Sequence, residues 1–164
     1  MKIEKLTRTF GRDSKNLIEK TKEKSFDGAV ACIETFYYSF NNKDMEVFKK
    51  IWLSDELIQL NNPLGGIMRG INPIIEMYDR IFNGQASVWV ELNDIVCYQS
   101  DDMMTFAGRE IGKFSINGQT IDLQIRTTRF LGYSDKEKQW FQIHHHGSID
   151  NVDLLDRYQK AVRK

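Results

Sequence analysis

All three histidines of this 164-residue chain are consecutive, His144, His145 and His146, inside the run QWFQIHHHGSI from Gln139 to Ile149. An imidazole changes charge near neutrality, so it can move protons, polarise a carbonyl or hold a metal. The run reads as a β-strand, because Trp140, Phe141, Ile143 and Ile149 give it β-favouring bulk after the charged turn SDKEK at 134–138. Strand side chains alternate between faces. Trp140, Gln142, His144, His146 and Ser148 therefore share one face, and Phe141, Ile143, His145, Gly147 and Ile149 share the other. The first row mixes an indole, two imidazoles and a hydroxyl. It makes His144 and His146 the candidate catalytic residues if that row lines a pocket. If it faces water, both are structural, bonded to backbone or to Ser148.

Arg126 and Thr128 share one face of the preceding strand. The SDKEK turn makes the two strands neighbours, with opposed Cβ atoms roughly 4.5–5.5 Å apart. Pairing outward from the turn brings Arg126 near the level of His146 or Ser148. An arginine aimed into a partly apolar pocket needs an anion. The expectation is that Arg126 converges with His144 or His146 on an anionic or carbonyl-bearing small molecule. Arg109, on the next strand back, is a second candidate cation. His144 and His146 stand roughly 6.6–6.8 Å apart along the strand, but no third ligand lies at an obvious spacing. No metal is expected, and no cofactor. No inward carboxylate is identifiable either: Glu34 and Glu76 sit on helical patterns and are expected to be exposed.

The elements that position these residues follow from length and periodicity. The length suits one domain, and 41% hydrophobic with 28% charged residues is a soluble globular composition. A net charge of zero gives no electrostatic footprint for nucleic acid. Residues 1–24 carry eight Lys/Arg against four Asp/Glu, a net of +4, and read as a basic N-terminal extension to a domain at 25–164. Such an arm is either solvated or able to touch an acidic partner. Cys32 and Cys97 both read as small buried hydrophobes, which points to a reducing, cytoplasmic setting. No apolar run is long enough to span a membrane, so no membrane partner is expected.

Residues 1–12 have no clear period, and Asp13 or Ser14 caps a short helix through Lys24. A strong helical pattern runs from about Asp27 to Asn41 and a second from Met45 to Leu53. Short strands follow at 57–60 and 67–69, around the turn residues Asn61-Asn62-Pro63 and Gly65-Gly66. Asn72-Pro73 reads as the start of a third helix that ends at Asn83-Gly84. The period then changes to two, with long strands at 86–99, 103–116, 119–133 and 139–149. Asn117-Gly118 is a strong hairpin signal, so the four form an antiparallel meander, with Gly108, Gly112 and Gly132 as bends or bulges. A last helix covers 152–162. Helices first and strands after define an α+β fold, a curved antiparallel sheet wrapped as a cone around the N-terminal helices. Pocket-wall candidates on these elements are Trp52, Asn62, Met68, Tyr78 and Trp140, beside Arg109, Arg126 and Thr128.

Three stretches in this order carry a family resemblance: AVACIETFYYSFNNKDMEVFKKIW, NPLGGIMRGINPIIEMYDRIF, and IRTTRF followed by WFQIHHHGS. The chain resembles the SnoaL-like domains of the nuclear transport factor 2-like superfamily over about residues 27–150. The final His-x-His-x-Ser is also similar to the association domain of calcium/calmodulin-dependent kinases. The resemblance implies a cystatin-like cone, a hydrophobic pocket and a homodimer through the outer sheet face, with Phe141, Ile143 and Ile149 as the apolar row to be covered. It does not imply one chemistry. Ketosteroid isomerase, on the same fold, needs a carboxylate before the turn proline, a tyrosine on the first helix and an aspartate on the penultimate strand. Here those positions are Asn62, Phe36 and near Arg126, so that mechanism is not expected. The reading is a small-molecule-binding domain. Its alternatives are a dehydratase, cyclase or isomerase using a pocket histidine, and a module that only oligomerises.

Overall fold

The computed structural model describes residues 1–163, with β1 (Lys2–Leu6), a 3-10 turn (Ile18–Lys22), α1 (Phe26–Asn41), α2 (Met45–Ile51), β2 (Gln59–Asn61), β3 (Ile67–Arg69), α3 (Ile71–Asn83), β4 (Ser87–Gln99), β5 (Met103–Ile116), β6 (Gln119–Ser134), β7 (Gln139–Ser148) and α4 (Val152–Val162). The strands form one curved, unclosed sheet in the order β1-β4-β5-β6-β7-β2-β3. β4 to β7 make the expected meander, and β2 joins β7 in parallel, with Leu60 beside His145.

α1 is the axle of the fold. Ser25 caps it by accepting from the Gly28 N–H, and its residues from Gly28 to Tyr37 are all buried. Phe36, Phe40, Phe48, Tyr78 and Phe82 from α1, α2 and α3 meet stacked, edge to face or tilted in the hollow of the sheet. The third helix begins two residues earlier than Asn72-Pro73 predicts, at Ile71. Gly70, at φ 81°, makes the entry, a left-handed backbone that a Cβ disfavours.

Two bulges bend the sheet. In β4 the register slips between Asn93 and Val96, opposite Gly108, and Asp94 takes φ 50°. In β7 the register slips at Ile143: Leu131 faces Gln142 and Phe130 faces His144. Gly112 has a tighter reason to be glycine, because a Cβ there would lie 2.0 Å from the Trp89 carbonyl oxygen.

The N-terminal segment is built into the domain rather than trailing from it. β1 pairs with β4 and adds a strand to the sheet edge, and Phe10 is 0% exposed, its ring 6.4 Å from that of Tyr37. Several of its cations reach the body. Lys5 pairs with Asp94, Arg8 with the buried Glu34, Lys24 with Asp135, and Arg12 lies 4.3 Å from the Trp89 ring centroid. Glu34, expected at the surface, is instead the buried anchor of this segment, also accepting from the Lys15 N–H. No described helix is long and apolar enough to cross a membrane.

Candidate functional site

The sheet hollow keeps a cavity of about 540 Å³ between α1, α3, the 62–64 turn, β4 to β6 and α4. Its walls are largely apolar, with Phe40, Met77, Val90, Phe114, Leu123 and Ile125 among them. Tyr158 of α4 lies over the rim against Phe114, ring centroids 4.9 Å apart, and Gln159 donates to the Leu64 carbonyl.

The floor is polar and buried. Arg129 Nη2 donates to Glu110 Oε1 at 2.7 Å, its Nε donates to the Tyr37 hydroxyl at 3.0 Å and its Nη1 to Gln142 Oε1 at 2.8 Å. Tyr37 in turn donates to the same Glu110 Oε1 at 2.6 Å. The guanidinium stacks on Phe36, 3.6 Å from the ring centroid. Cation and anion match, so the floor has no net charge. Glu110 Oε2 has no hydrogen-bond partner among the described residues, and the Tyr78 hydroxyl, beside the Arg129 guanidinium, donates to none of them; both side chains line the cavity. Burial pushes the Tyr78 phenol up to about 12, so it remains a donor. His145, 4% exposed, stands on the same wall with neither ring nitrogen partnered. Burial first, and then the Arg129 charge, hold it well below the usual imidazole range, so it is neutral.

The Ile143 bulge decides which histidine is inside. Unbroken alternation from Trp140 and Gln142 puts His144 and His146 on the inner face. One extra residue in the strand moves that face to His145, Gly147 and Ile149. His144 accordingly lies on the outside, its ring 5.3 Å from Phe130, and His146 is exposed with Nδ1 3.1 Å from the Asn61 amide. Arg126 is exposed opposite Ser148, and Thr128 is on the same outer face opposite His146. The expected convergence of Arg126 with His144 or His146 in the cone does not occur. Arg109 also faces outward and pairs with Asp150 at 3.5 Å. Trp52 and Trp140 are packed in the core, and Trp140 Nε1 donates to the Glu23 carbonyl. Met68 is partly buried against that core. Asn62 and Tyr78 do line the cavity. No group of three or more His, Cys, Asp or Glu is placed to hold a metal among the described residues.

Glu110, Arg129 and Tyr37 were not among the expected site residues, yet two of them carry a signal. Arg129 sits in the apolar row Ile121, Leu123, Ile125, Leu131, whereas Arg126 sits in the polar row Thr120, Asp122, Gln124. Glu110 likewise shares its row with Phe106 and Phe114. A charge embedded in an apolar row is the mark of a buried, paired group.

Residues 30–151 match the family model described as a SnoaL-like domain, and the chain belongs to that family. No curated protein matches it. Solved structures share the fold at low identity. An uncharacterized Caulobacter vibrioides protein with a cystatin-like fold is 20% identical, with 83% of this chain and 96% of that one covered and a TM-score of 0.63. A Streptomyces avermitilis protein whose name proposes a dehydratase of the NTF2-like family is 14% identical, with 74% and 93% covered and a TM-score of 0.65. The CaMKII hub of S. rosetta is 13% identical, with 73% and 92% covered and a TM-score of 0.61.

Proposed function

We propose that the cone binds a small, largely apolar molecule carrying one neutral polar group. The observation that carries this is the cavity itself: about 540 Å³ of mostly apolar wall over a buried polar floor of no net charge. Ligand sites are typically of this size and make-up. An anionic ligand loses the support that Arg126 would have given it, since Arg126 faces solvent and Arg129 is already matched by Glu110. Catalysis by His144 or His146 finds no support in their outward positions.

The test is titration with the neutral fluorescent probe N-phenylnaphthylamine. Saturable binding at one probe per chain is expected, lost in Leu123→Trp, which fills the cone, and unchanged in Ile143→Asp on the outer face. Equal binding by a folded Leu123→Trp would contradict the reading.

A second reading concerns assembly. We propose that two copies pair through the outer sheet face. Ile143 and Phe130 line an outer groove of about 550 Å³ with Leu53, Ile58 and Leu57, the last 85% exposed. Ile149, expected in the outer row, is instead in the core at 8% exposure, so Phe130 and Ile143 line the groove with Leu57, and Phe141 stays half-buried outside it. The S. rosetta relative is named a hub, which supports an assembling role on this fold. A sedimentation mass of one chain at micromolar concentration would contradict it.

A further inference from the structure

The floor of the cone carries more information than its neutrality. Glu110 Oε1 receives two donors, from Tyr37 at 2.6 Å and Arg129 at 2.7 Å, while Oε2 receives none among the described residues. Arg129 spends Nε, Nη1 and Nη2 on Tyr37, Gln142 and Glu110. The open acceptor on this floor is therefore Glu110 Oε2, and the donors left over are the Tyr78 hydroxyl and the second N–H on each of Arg129 Nη1 and Nη2. The Glu110 and Tyr78 side chains line the same cavity, together with Arg129.

Resting on the reading that the cone binds a small molecule, we propose that the polar group of its ligand is a neutral hydroxyl, which donates to Glu110 Oε2 and accepts from Tyr78 Oη. A hydroxyl offers one donor and two acceptor lone pairs, which fits both groups at once. A ketone or an ether has no proton for Oε2 and leaves that oxygen desolvated without a partner. A carboxylate brings a second anion against it. Sites built to bond a hydroxyl reject analogues that lack it, because the buried partner is then unpaired. His145, neutral and with two unpartnered nitrogens on the same wall, adds no charge that would favour an anion.

The experiment is displacement of N-phenylnaphthylamine at neutral pH by a rigid, size-matched series: adamantanol, adamantanone, methoxyadamantane and adamantane carboxylate. Adamantanol is expected to bind at least about tenfold tighter than each of the other three. In Tyr78→Phe, which keeps the ring packing, adamantanol is expected to bind severalfold more weakly than to the wild type, because its oxygen loses a donor, while its advantage over methoxyadamantane, set by Glu110 Oε2, persists. If the ketone, ether or carboxylate binds as tightly as the alcohol to the wild-type protein, the hydroxyl assignment is overturned while the binding reading stands. If the fluorescent probe itself fails to bind, both fall. The wild-type series decides the matter even if the variant does not fold.

Discussion

Arg129 and Glu110 form an ion pair at 2.7 Å with side-chain exposures of 1% and 4%, the two charges being carried on β6 and β5 of one sheet. Two charges taken out of water at this depth attract strongly, but their desolvation offsets much of the gain. Removing one partner is far worse than removing both. Arg129→Met is expected to cost about 3–5 kcal/mol, leaving Glu110 buried and unpaired. Adding Glu110→Leu to that variant is expected to recover a large part of the loss. Urea unfolding of the two single variants and the double variant measures this, and strictly additive losses would contradict a coupled pair.

The N-terminal segment is expected to be structural. Phe10 is fully buried between the sheet edge and α1, with its backbone bridged to Leu92 in both directions. Phe10→Ala is expected to destabilise by about 3–5 kcal/mol, the usual range for deleting a buried aromatic. Chemical denaturation checks it, and a loss below about 0.5 kcal/mol, typical of a surface change, would show the segment to be dispensable.

The buried imidazole makes stability depend on pH. His145 binds its proton far less readily in the fold than in the unfolded chain, chiefly through burial. The unfolded state therefore takes up a proton first as pH falls. The contribution is fully present above about pH 6.5, the ordinary imidazole value, and is lost as pH drops from there toward the depressed folded value. His144 is shifted in the same direction, also led by burial, so it adds to the slope. Thermal melts between neutral and mildly acid pH are expected to show falling stability. A His145→Gln variant is expected to show a shallower fall. An unchanged slope in that variant would contradict the assignment.

The fold was largely legible because its elements are periodic: β5 at 103–116 and α4 at 152–162 fall where the patterns place them. The site was legible in part. Alternation is a sound rule until a strand takes an extra residue, and Ile143 does so with no glycine to announce it, which reverses the inner and outer histidines. Tyr37 could not be told from the other aromatics of α1, because its role depends on a hydroxyl meeting Glu110 seventy-three residues away. β1 escaped notice because an edge strand paired on one side needs little apolar alternation: Ile3 is exposed and Leu6 half-buried.

The three consecutive histidines report directly on where a ligand sits, one on the cone wall, one on the outer groove and one in solvent. The most direct test is therefore to follow the imidazole nitrogen resonances of His144, His145 and His146 by NMR as adamantanol is added at neutral pH. The account predicts that His145 reads as neutral and shifts saturably, while His144 and His146 stay in place. Shifts confined to His144, with His145 unmoved, would contradict it and place binding on the outer face.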